Sequence, residues 1–361
     1  MFFKKSNNKL WYGIYFAATF FVAGMTLQSR LDLSKNILLL IGLGILILAY
    51  TSHRLIVRFT PMKRIERKIR KTPHKHEQLK IFFEEYLPET KKIYPQTIYK
   101  YVSLTDINTS EKEMYNSFST QMETEKWIIT SENQPLNEKK LFSLFTNSLW
   151  FTRSNSSDLN DPFEGRRIIY DDDLYPLSNS QIQYWKKYAE NLRNTLFLCC
   201  FSKYNNSPPM WANYANNYKG YCLEFEIVTK DNLWEVDYSY GKNLPNFEFE
   251  GLKKDLWEDR ITEEEAYKYI EQLHIYWATS KHGDWKYESE IRAMLTNLQC
   301  EMNIAYKDIG INLTGIIIGH NCAKEHREFL SYAANKLSIP LKITALNTTG
   351  INYLDIIDYK E

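Results

Sequence analysis

Short apolar runs and amphipathic stretches intermix from about residue 97 to the end of the chain. The apolar runs are rich in Ile, Leu, Tyr and Phe and predict strands at 98–103, 149–152, 196–201, 220–227, 311–319 and 341–345. Helical spacing of apolar positions predicts helices at 138–147, 178–192, 262–280 and 324–337. Because strands and helices do not alternate as regular βαβ units, the pattern favours an α+β fold.

Two longer apolar segments precede this region. Residues 10–29 are twenty uncharged residues and residues 36–52 are seventeen, near the length that crosses the hydrocarbon core of a bilayer as a helix. Basic residues flank both outer ends of the pair, so the positive-inside rule predicts cytoplasmic termini. We therefore predict a two-pass transmembrane hairpin over residues 1–60, located in the inner (cytoplasmic) membrane, with the rest of the chain cytoplasmic.

A basic stretch follows the second apolar segment. Residues 54–71 contain eight Lys or Arg and one acid, a pattern that favours contact with anionic lipid headgroups over nucleic acid. The predicted organisation is a hairpin over 1–60, a basic juxtamembrane helix and linker over 61–90, and an α+β domain over 91–361.

The overall composition narrows the class of protein. The formal net charge is +1, which argues against a protein that coats nucleic acid. An aromatic content of 15%, with 26 Tyr, argues against intrinsic disorder. The five Cys lack metal-site spacing and are interpreted as buried free thiols of a reducing compartment.

Three segments, 159–164, 199–225 and 285–292, combine large aromatic residues with carboxylates and amides. That combination suits a cleft for a polar, ring-containing ligand. In the first segment, Asn160, Asp161 and Glu164 are candidate ligand-binding residues. The alternative is a structural turn, because Asn, Asp and Pro are typical turn residues.

In the second segment, Trp211 and Tyr214 are three residues apart and share a helical face. They are candidates for a wall that stacks on a nicotinamide or adenine ring, with Ser202 facing the same cleft. The alternative is that this aromatic stripe belongs to the core.

The third segment, 285–292, contains Trp285, Glu288, Glu290 and Arg292. In an extended chain the two acids and the arginine share one face, and we predict that they are catalytic, with Trp285 binding the ligand. Alternatively, Arg292 pairs with one acid as a structural bridge; in a helix, Glu288 and Arg292 would form an ordinary pair and Glu290 would point elsewhere.

Together these three segments resemble the bacterial domain-of-unknown-function family 2971 over roughly residues 97–350. The family name implies no activity. The order of strands and helices is also similar to that of mono-ADP-ribosyltransferases, in which a first-strand His or Arg holds the nicotinamide ribose of NAD. There an aromatic residue stacks on the ring, and a late Glu stabilises the ribose cation.

This second resemblance implies roles for particular residues. Lys100 or Tyr101, with Tyr99 beside them, would take the first-strand role, although the strand has no His or Arg. Trp150 or Tyr214 would stack on the ring. The late acid would be Glu290 or Glu288. NAD is the candidate substrate, the cofactor is unknown, and no metal site is predicted.

The function expected from this reading is a membrane-anchored effector that consumes NAD, similar to membrane effectors of anti-phage defence and abortive infection. One alternative is a non-enzymatic ligand sensor whose hairpin oligomerises and disrupts the membrane. A further alternative is a magnesium-dependent nuclease using Asp161, Glu164, Glu288 and Glu290. The expected partners are the membrane, an unknown ligand or protein acceptor, and a second copy of the chain; nucleic acid is not expected.

Overall fold

The computed structural model describes residues 60–106, 140–141, 143–154, 159, 179–238, 249–296, 302–347 and 354–359. The candidate residues Asn160, Asp161 and Glu164 lie outside this part of the chain. The chain divides into two compact units, Met1–Thr72 and Pro73–Glu361. The predicted division at residues 60 and 90 stays a prediction.

The first unit contains helix α1 (Pro61–Lys71). Thr60 is its N-cap and accepts a hydrogen bond from the backbone N–H of Lys63 at 3.4 Å. Pro61 occupies the first helical position, where its missing N–H costs no helical hydrogen bond. The sequence Thr-Pro therefore determines where this helix begins.

The second unit contains the remaining described helices. They are α2 (Lys75–Ile81), a π-helical turn (Phe82–Tyr86), α3 (Leu87–Lys92), α4 (Asn179–Thr195), α5 (Pro208–Tyr214), α6 (Phe249–Trp257), α7 (Glu263–Ala278) and α8 (Lys324–Leu337). Helix α7 begins with a capping box: the Thr262 hydroxyl accepts from the backbone N–H of Glu265 at 3.2 Å, and the Glu265 carboxylate accepts from the backbone N–H of Thr262 at 2.9 Å. The predicted cap at Thr262 and the predicted helix 324–337 are confirmed.

Ten described strands form one sheet. They are β1 (Thr97–Val102), β2 (Ser148–Arg153), β3 (Phe197–Ser202), β4 (Tyr221–Ile227), β5 (Leu233–Glu235), β6 (Glu290–Leu295), β7 (Met302–Ala305), β8 (Ile311–Ile318), β9 (Leu341–Leu346) and β10 (Leu354–Asp358). The order is β10-β9-β8-β4-β1-β3-β2-β7, and β6 pairs with β3 and β5. The β8–β9 pair is parallel and the other pairs are antiparallel.

The two faces of the sheet are covered differently. One face carries a large apolar cluster that includes Ile98, Phe201 and Phe225 and packs on Phe329 of α8. On the other face, Trp211 of α5 packs over the middle strands, and α7 packs beside β3 and β6. This second face, on which the candidate site lies, is called the α5 face below. Mixed helices and antiparallel strands around one sheet are an α+β arrangement.

No helix in the described ranges is both long and apolar enough to cross a membrane. This finding contradicts the predicted two-pass transmembrane protein, its inner-membrane location and the membrane as a partner. The longest described helix, α4, has 17 residues and carries Lys187 and Arg193. The predicted membrane helices, 10–29 and 36–52, themselves lie outside the described residues. The prediction of a defence effector depended on the membrane hairpin, so this support for it is removed.

Candidate functional site

Two carboxylates and two cations meet in the interior beside β6. Lys281 follows α7, Glu288 ends a 3₁₀ helix (Gly283–Glu288), and Glu290 and Arg292 lie on β6. None of these four side chains is more than 5% exposed. Charged groups this deeply buried must be paired, and these four are called the ion network below.

Glu290 is the most tightly held member of the ion network. Its Oε1 accepts from Nε of Arg292 at 2.9 Å, and its Oε2 accepts from Nη2 at 2.9 Å. The ammonium of Lys281 donates to Oε2 at 3.3 Å. Arg292 also donates from Nη1 to the backbone carbonyl of Ala278. The bidentate contact with Arg292 fixes both the position and the orientation of the Glu290 carboxylate.

Glu288 has fewer and different partners. Its Oε2 accepts from Lys281 at 2.7 Å, and its Oε1 accepts from the phenol of Tyr214 on α5. Its backbone carbonyl accepts from the hydroxyl of Ser202 at 2.8 Å. Glu288 is thus held by one phenol and one ammonium, whereas Glu290 is held by two nitrogens of the Arg292 guanidinium.

Local backbone geometry brings the two acids together. Ser289, between them, has φ 46° and ψ 53°, in the left-handed region. This residue ends the 3₁₀ helix, and β6 begins at Glu290. Both acids therefore reach the same ammonium, although neither a continuous strand nor a continuous helix spans them. A non-glycine residue in this conformation is uncommon and is found disproportionately at functional sites.

The backbone of Lys281 is held by the chain that follows β5. Its N–H donates to the carbonyl of Asp237 at 3.0 Å, and the N–H of Asp237 donates to Thr279 at 2.7 Å. The phenol oxygen of Tyr238 then accepts from the N–H of Glu290 at 2.9 Å. The ammonium of Lys281 also lies 5.2 Å from the ring centroid of Trp285. The cation is thus placed by backbone contacts on one side and an aromatic ring on another.

Burial and charge shift several acid constants at this site. Burial raises the pKa of Glu290, and the positive charge of Lys281 opposes that effect. Burial alone would lower the pKa of Lys281, but the charges of Glu290 and Glu288 outweigh it and raise that pKa. Burial, followed by the charge of Glu290, raises the pKa of Tyr238. Both the lysine and the tyrosine therefore stay protonated at neutral pH.

A lateral row of side chains crosses three neighbouring strands next to the ion network. Tyr99 on β1 pairs with Ser202 on β3, and Ser202 pairs with Glu290 on β6. Directly paired residues project from the same face of a sheet, so this row lies on the α5 face. On its far side Tyr99 pairs with Glu224 of β4. Burial and the Glu224 charge raise the pKa of Tyr99 to about 12.

Other predicted site residues lie elsewhere. Lys100 alternates with Tyr99 along β1 and so projects from the opposite face. The phenol of Tyr101 donates to the carbonyl of Tyr204 at 2.8 Å and joins the core under α5. Trp150, on β2, is 54% exposed. Trp211 is fully buried, stacks on Tyr218 at 5.8 Å and donates from its indole to Asn205, so it is a core residue.

The structure thus brings together seven predicted residues, which are Tyr99, Ser202, Tyr214, Trp285, Glu288, Glu290 and Arg292. Sequence reasoning missed Lys281 and Tyr238. Lys281 lies in a polar stretch between α7 and the 3₁₀ helix, which is typical of an exposed loop. The sequence signal for its burial is indirect: the segments on both sides of this stretch are rich in aromatic residues.

The nuclease alternative gains no support from the described part of the site. Among the described residues, no group of three or more His, Cys, Asp or Glu side chains is arranged to hold a metal ion. Glu288 and Glu290 are bonded to Lys281 and Arg292 instead. The other two proposed metal ligands, Asp161 and Glu164, lie outside the described ranges.

Comparison with known proteins supports one relationship. The family model described as "Protein of unknown function (DUF2971)" matches residues 210–293. This range runs from α5 into β6 and includes Tyr214, Lys281, Glu288, Glu290 and Arg292. The match supports the family resemblance drawn from the sequence, over a shorter span than the expected 97–350. No curated protein and no solved structure matches the chain.

Proposed function

We propose that this domain consumes NAD by an ADP-ribosyltransferase-like reaction at the ion network. The observation that carries the proposal is the row Tyr99–Ser202–Glu290 across three adjacent antiparallel strands. It sets a first-strand aromatic, a serine at a strand end and a late acid side by side on one face. The resemblance to ADP-ribosyltransferases gave the first-strand role to Lys100 or Tyr101; we now assign it to Tyr99, which lies on the α5 face, and the Glu290 end of the row places the neighbouring Glu288 beside it.

The reaction breaks the bond between ribose C1′ and the nicotinamide nitrogen. The electron pair of that bond leaves with nicotinamide, which is thereby neutralised, and C1′ acquires positive charge. Water or an acceptor side chain then bonds to C1′ and releases a proton. A carboxylate beside C1′ lowers the barrier because it stabilises the charge that develops in the transition state.

We assign that carboxylate to Glu288. Glu290 is clamped by both nitrogens of the Arg292 fork, so it serves to anchor the strand and the network. Glu288 has no such guanidinium contact: one of its oxygens is bonded to the Tyr214 phenol and the other to the Lys281 ammonium. In this proposal the Tyr214 phenol moves aside when a ligand on the α5 face reaches the Glu288 carboxylate.

Aromatic side chains near Glu288 suit the departing ring. Tyr214 contacts Glu288 directly, and Tyr287 is the acceptor of a 3.5 Å hydrogen bond from Asn213 on the same helix as Tyr214. Flat apolar rings next to a carboxylate match a pyridinium ring, which is both planar and cationic. This charge and shape complementarity supports NAD over a neutral nucleoside as the substrate.

The test is nicotinamide release from NAD by the full chain, with and without cell extract as a source of acceptors. The Glu288→Gln variant keeps the size of the side chain and removes its charge, and we expect a loss of about 100-fold or more in rate. Glu226→Gln is the matched control, because Glu226 lies exposed on β4. Equal rates for wild type and Glu288→Gln, with both folded, would remove Glu288 from the mechanism.

A second candidate is a ligand-binding module without chemistry. It is favoured by the net charge of the ion network, which is zero because two carboxylates are matched by two cations. In that case NAD or a related nucleotide binds, Glu288→Gln weakens binding, and no nicotinamide is released. Titration calorimetry with NAD, run beside the release assay, separates binding from turnover.

A further inference from the structure

Lys281 is the one member of the ion network that touches both acids. Its ammonium lies 2.7 Å from Oε2 of Glu288 and 3.3 Å from Oε2 of Glu290. The lysine side chain is only 5% exposed. Its neighbour in the network, Arg292, is bonded to Glu290 and to the carbonyl of Ala278. Lys281 is therefore a cation hydrogen-bonded to Glu288 as well as to Glu290.

The contact of Lys281 with both acids sets the net charge of the ion network. Glu288 and Glu290 together carry two negative charges, and Arg292 supplies one permanent positive charge. Without Lys281 the remaining three groups would carry a net negative charge in a buried space. Two close carboxylates in such a space do not both stay ionised, and one takes up a proton.

We propose that Lys281 is a positioning residue that keeps Glu288 and Glu290 ionised together, so that Glu288 is available as a carboxylate at neutral pH. The proposal rests on the proposed function in assigning a use to Glu288. Lys281 forms no bond to the substrate in this proposal; its ammonium lies against the two acids and the Trp285 ring. It acts on the substrate only through the acid that it holds.

The other titratable groups around the network do not replace this cation. Tyr214 of α5 and Tyr238 after β5 contribute neutral phenols, and Cys200 of β3 contributes a thiol. Burial raises the pKa of Cys200, and the nearby charge of Glu290 raises it further, so that thiol stays neutral. Lys100 is a cation near Glu290, but it projects from the opposite face of the sheet.

The hydrogen bonds of the two acids agree with full ionisation. Three donors converge on Glu290, two from Arg292 and one from Lys281. Two donors converge on Glu288, from Tyr214 and Lys281. The ammonium of Lys281 and the guanidinium of Arg292 can only donate, so the oxygens they contact act as acceptors, as carboxylate oxygens do.

The test compares the protonation of the two acids in the full chain by infrared spectroscopy, which separates the carboxylic C=O stretch from that of a carboxylate. We expect no protonated carboxyl from this site in the wild type at neutral pH and one in Lys281→Gln. That signal should vanish in Lys281→Gln/Glu288→Gln, which removes one acid with the base. Lys281→Arg, which keeps the charge, should behave as wild type.

Stability gives a second measurement should Lys281→Gln fold poorly. An acid whose pKa is raised in the folded state favours folding at low pH, and that benefit is lost as pH rises through the folded pKa. The stability of Lys281→Gln relative to wild type should therefore fall between weakly acidic and neutral pH. The double variant, whose Glu290–Arg292 pair is neutral, should lack this dependence.

Two results would overturn the proposal. One is a protonated Glu288 or Glu290 in the wild type at neutral pH, and the other is folded Lys281→Gln with both acids still ionised. In the release assay, the acid limb of the Lys281→Gln pH profile should move up by about 1–3 pH units. If the wild type releases no nicotinamide, the proposed function fails, while the infrared result still decides the role of Lys281.

Discussion

Replacing Arg292 by Met tests how much the ion network contributes to stability. Arg292 is fully buried and donates two hydrogen bonds to Glu290 and one to Ala278. Met keeps an unbranched apolar side chain but removes both guanidinium hydrogen bonds from Glu290. Removing one partner of a buried ion pair costs about 3–5 kcal/mol, which is more than a hundredfold in the folding equilibrium.

The assay is urea unfolding of the full chain at 25 °C, followed by circular dichroism. A double-mutant cycle with Glu290→Gln separates the pair from the lost volume. Each single variant leaves one buried charge unbalanced, whereas Arg292→Met/Glu290→Gln leaves Glu288 and Lys281 as a neutral pair. We therefore expect the double variant to be destabilised less than the sum of the singles, by about 1–3 kcal/mol.

The exposed pair of Lys324 and Glu328, 3.6 Å apart on α8, supplies the control. Lys324→Met should cost at most about 0.5 kcal/mol, because exposed ion pairs contribute little. A loss below about 1 kcal/mol in Arg292→Met, or strict additivity in the cycle, would refute the reasoning. The acids would then have found other partners or protonated at little cost.

Three further predictions concern other parts of the fold. Burial by itself raises the pKa of Asp255, but hydrogen bonds from His76 and Arg260 outweigh it and lower that pKa. The resulting stabilisation is present above about pH 4 and is lost as pH falls through the folded pKa. The free energy of unfolding of Asp255→Asn should therefore depend less on pH in the acidic range than that of the wild type. Gly220→Ala should destabilise the protein by about 1–3 kcal/mol in urea unfolding, because a Cβ there would lie 2.0 Å from the carbonyl oxygen of Val102. Gly315→Ala is the control and should be tolerated, because the nearest neighbour of its Cβ would lie at 3.6 Å. Ser289→Val should cost about 1–2 kcal/mol in the same assay, and an unchanged midpoint would mean that the left-handed turn is not held there.

The local elements could be predicted from the sequence because their signals are local. The cap at Thr262 and the helical spacing of apolar residues in α8 indicate helices without reference to the rest of the chain. Apolar runs likewise indicated β3, β4 and β8. By contrast, β5 is three residues long and pairs with β6 far along the chain, so no local pattern marks it.

The candidate site was predictable in part. Glu290 and Arg292 share a strand face by period-two spacing, and the structural bridge between them was one of the two readings that the sequence left open. Glu288 joins them by a different route, through the left-handed turn at Ser289, which neither a pure strand nor a pure helix describes. Tyr99 and Ser202 meet Glu290 only through strand pairing, which depends on register and not on spacing.

Lys281 and Lys100 show why charge is hard to place from sequence. Lysine is usually exposed, so a lysine in a polar stretch is expected in solvent. Lys281 is buried where its ammonium pairs with two acids a little further along the chain, Glu288 and Glu290. Lys100 looked suited to a ligand, but its neighbour Tyr99 is the residue on the α5 face, since alternate residues of a strand face opposite ways.

The most direct test of the proposed function is the rate of nicotinamide release from NAD by the full chain, with Glu288→Gln measured beside it. The account expects release by the wild type and a rate lower by about 100-fold or more in the folded variant. Absence of release by the wild type under all acceptor conditions, or equal release by both proteins, would contradict a catalytic Glu288.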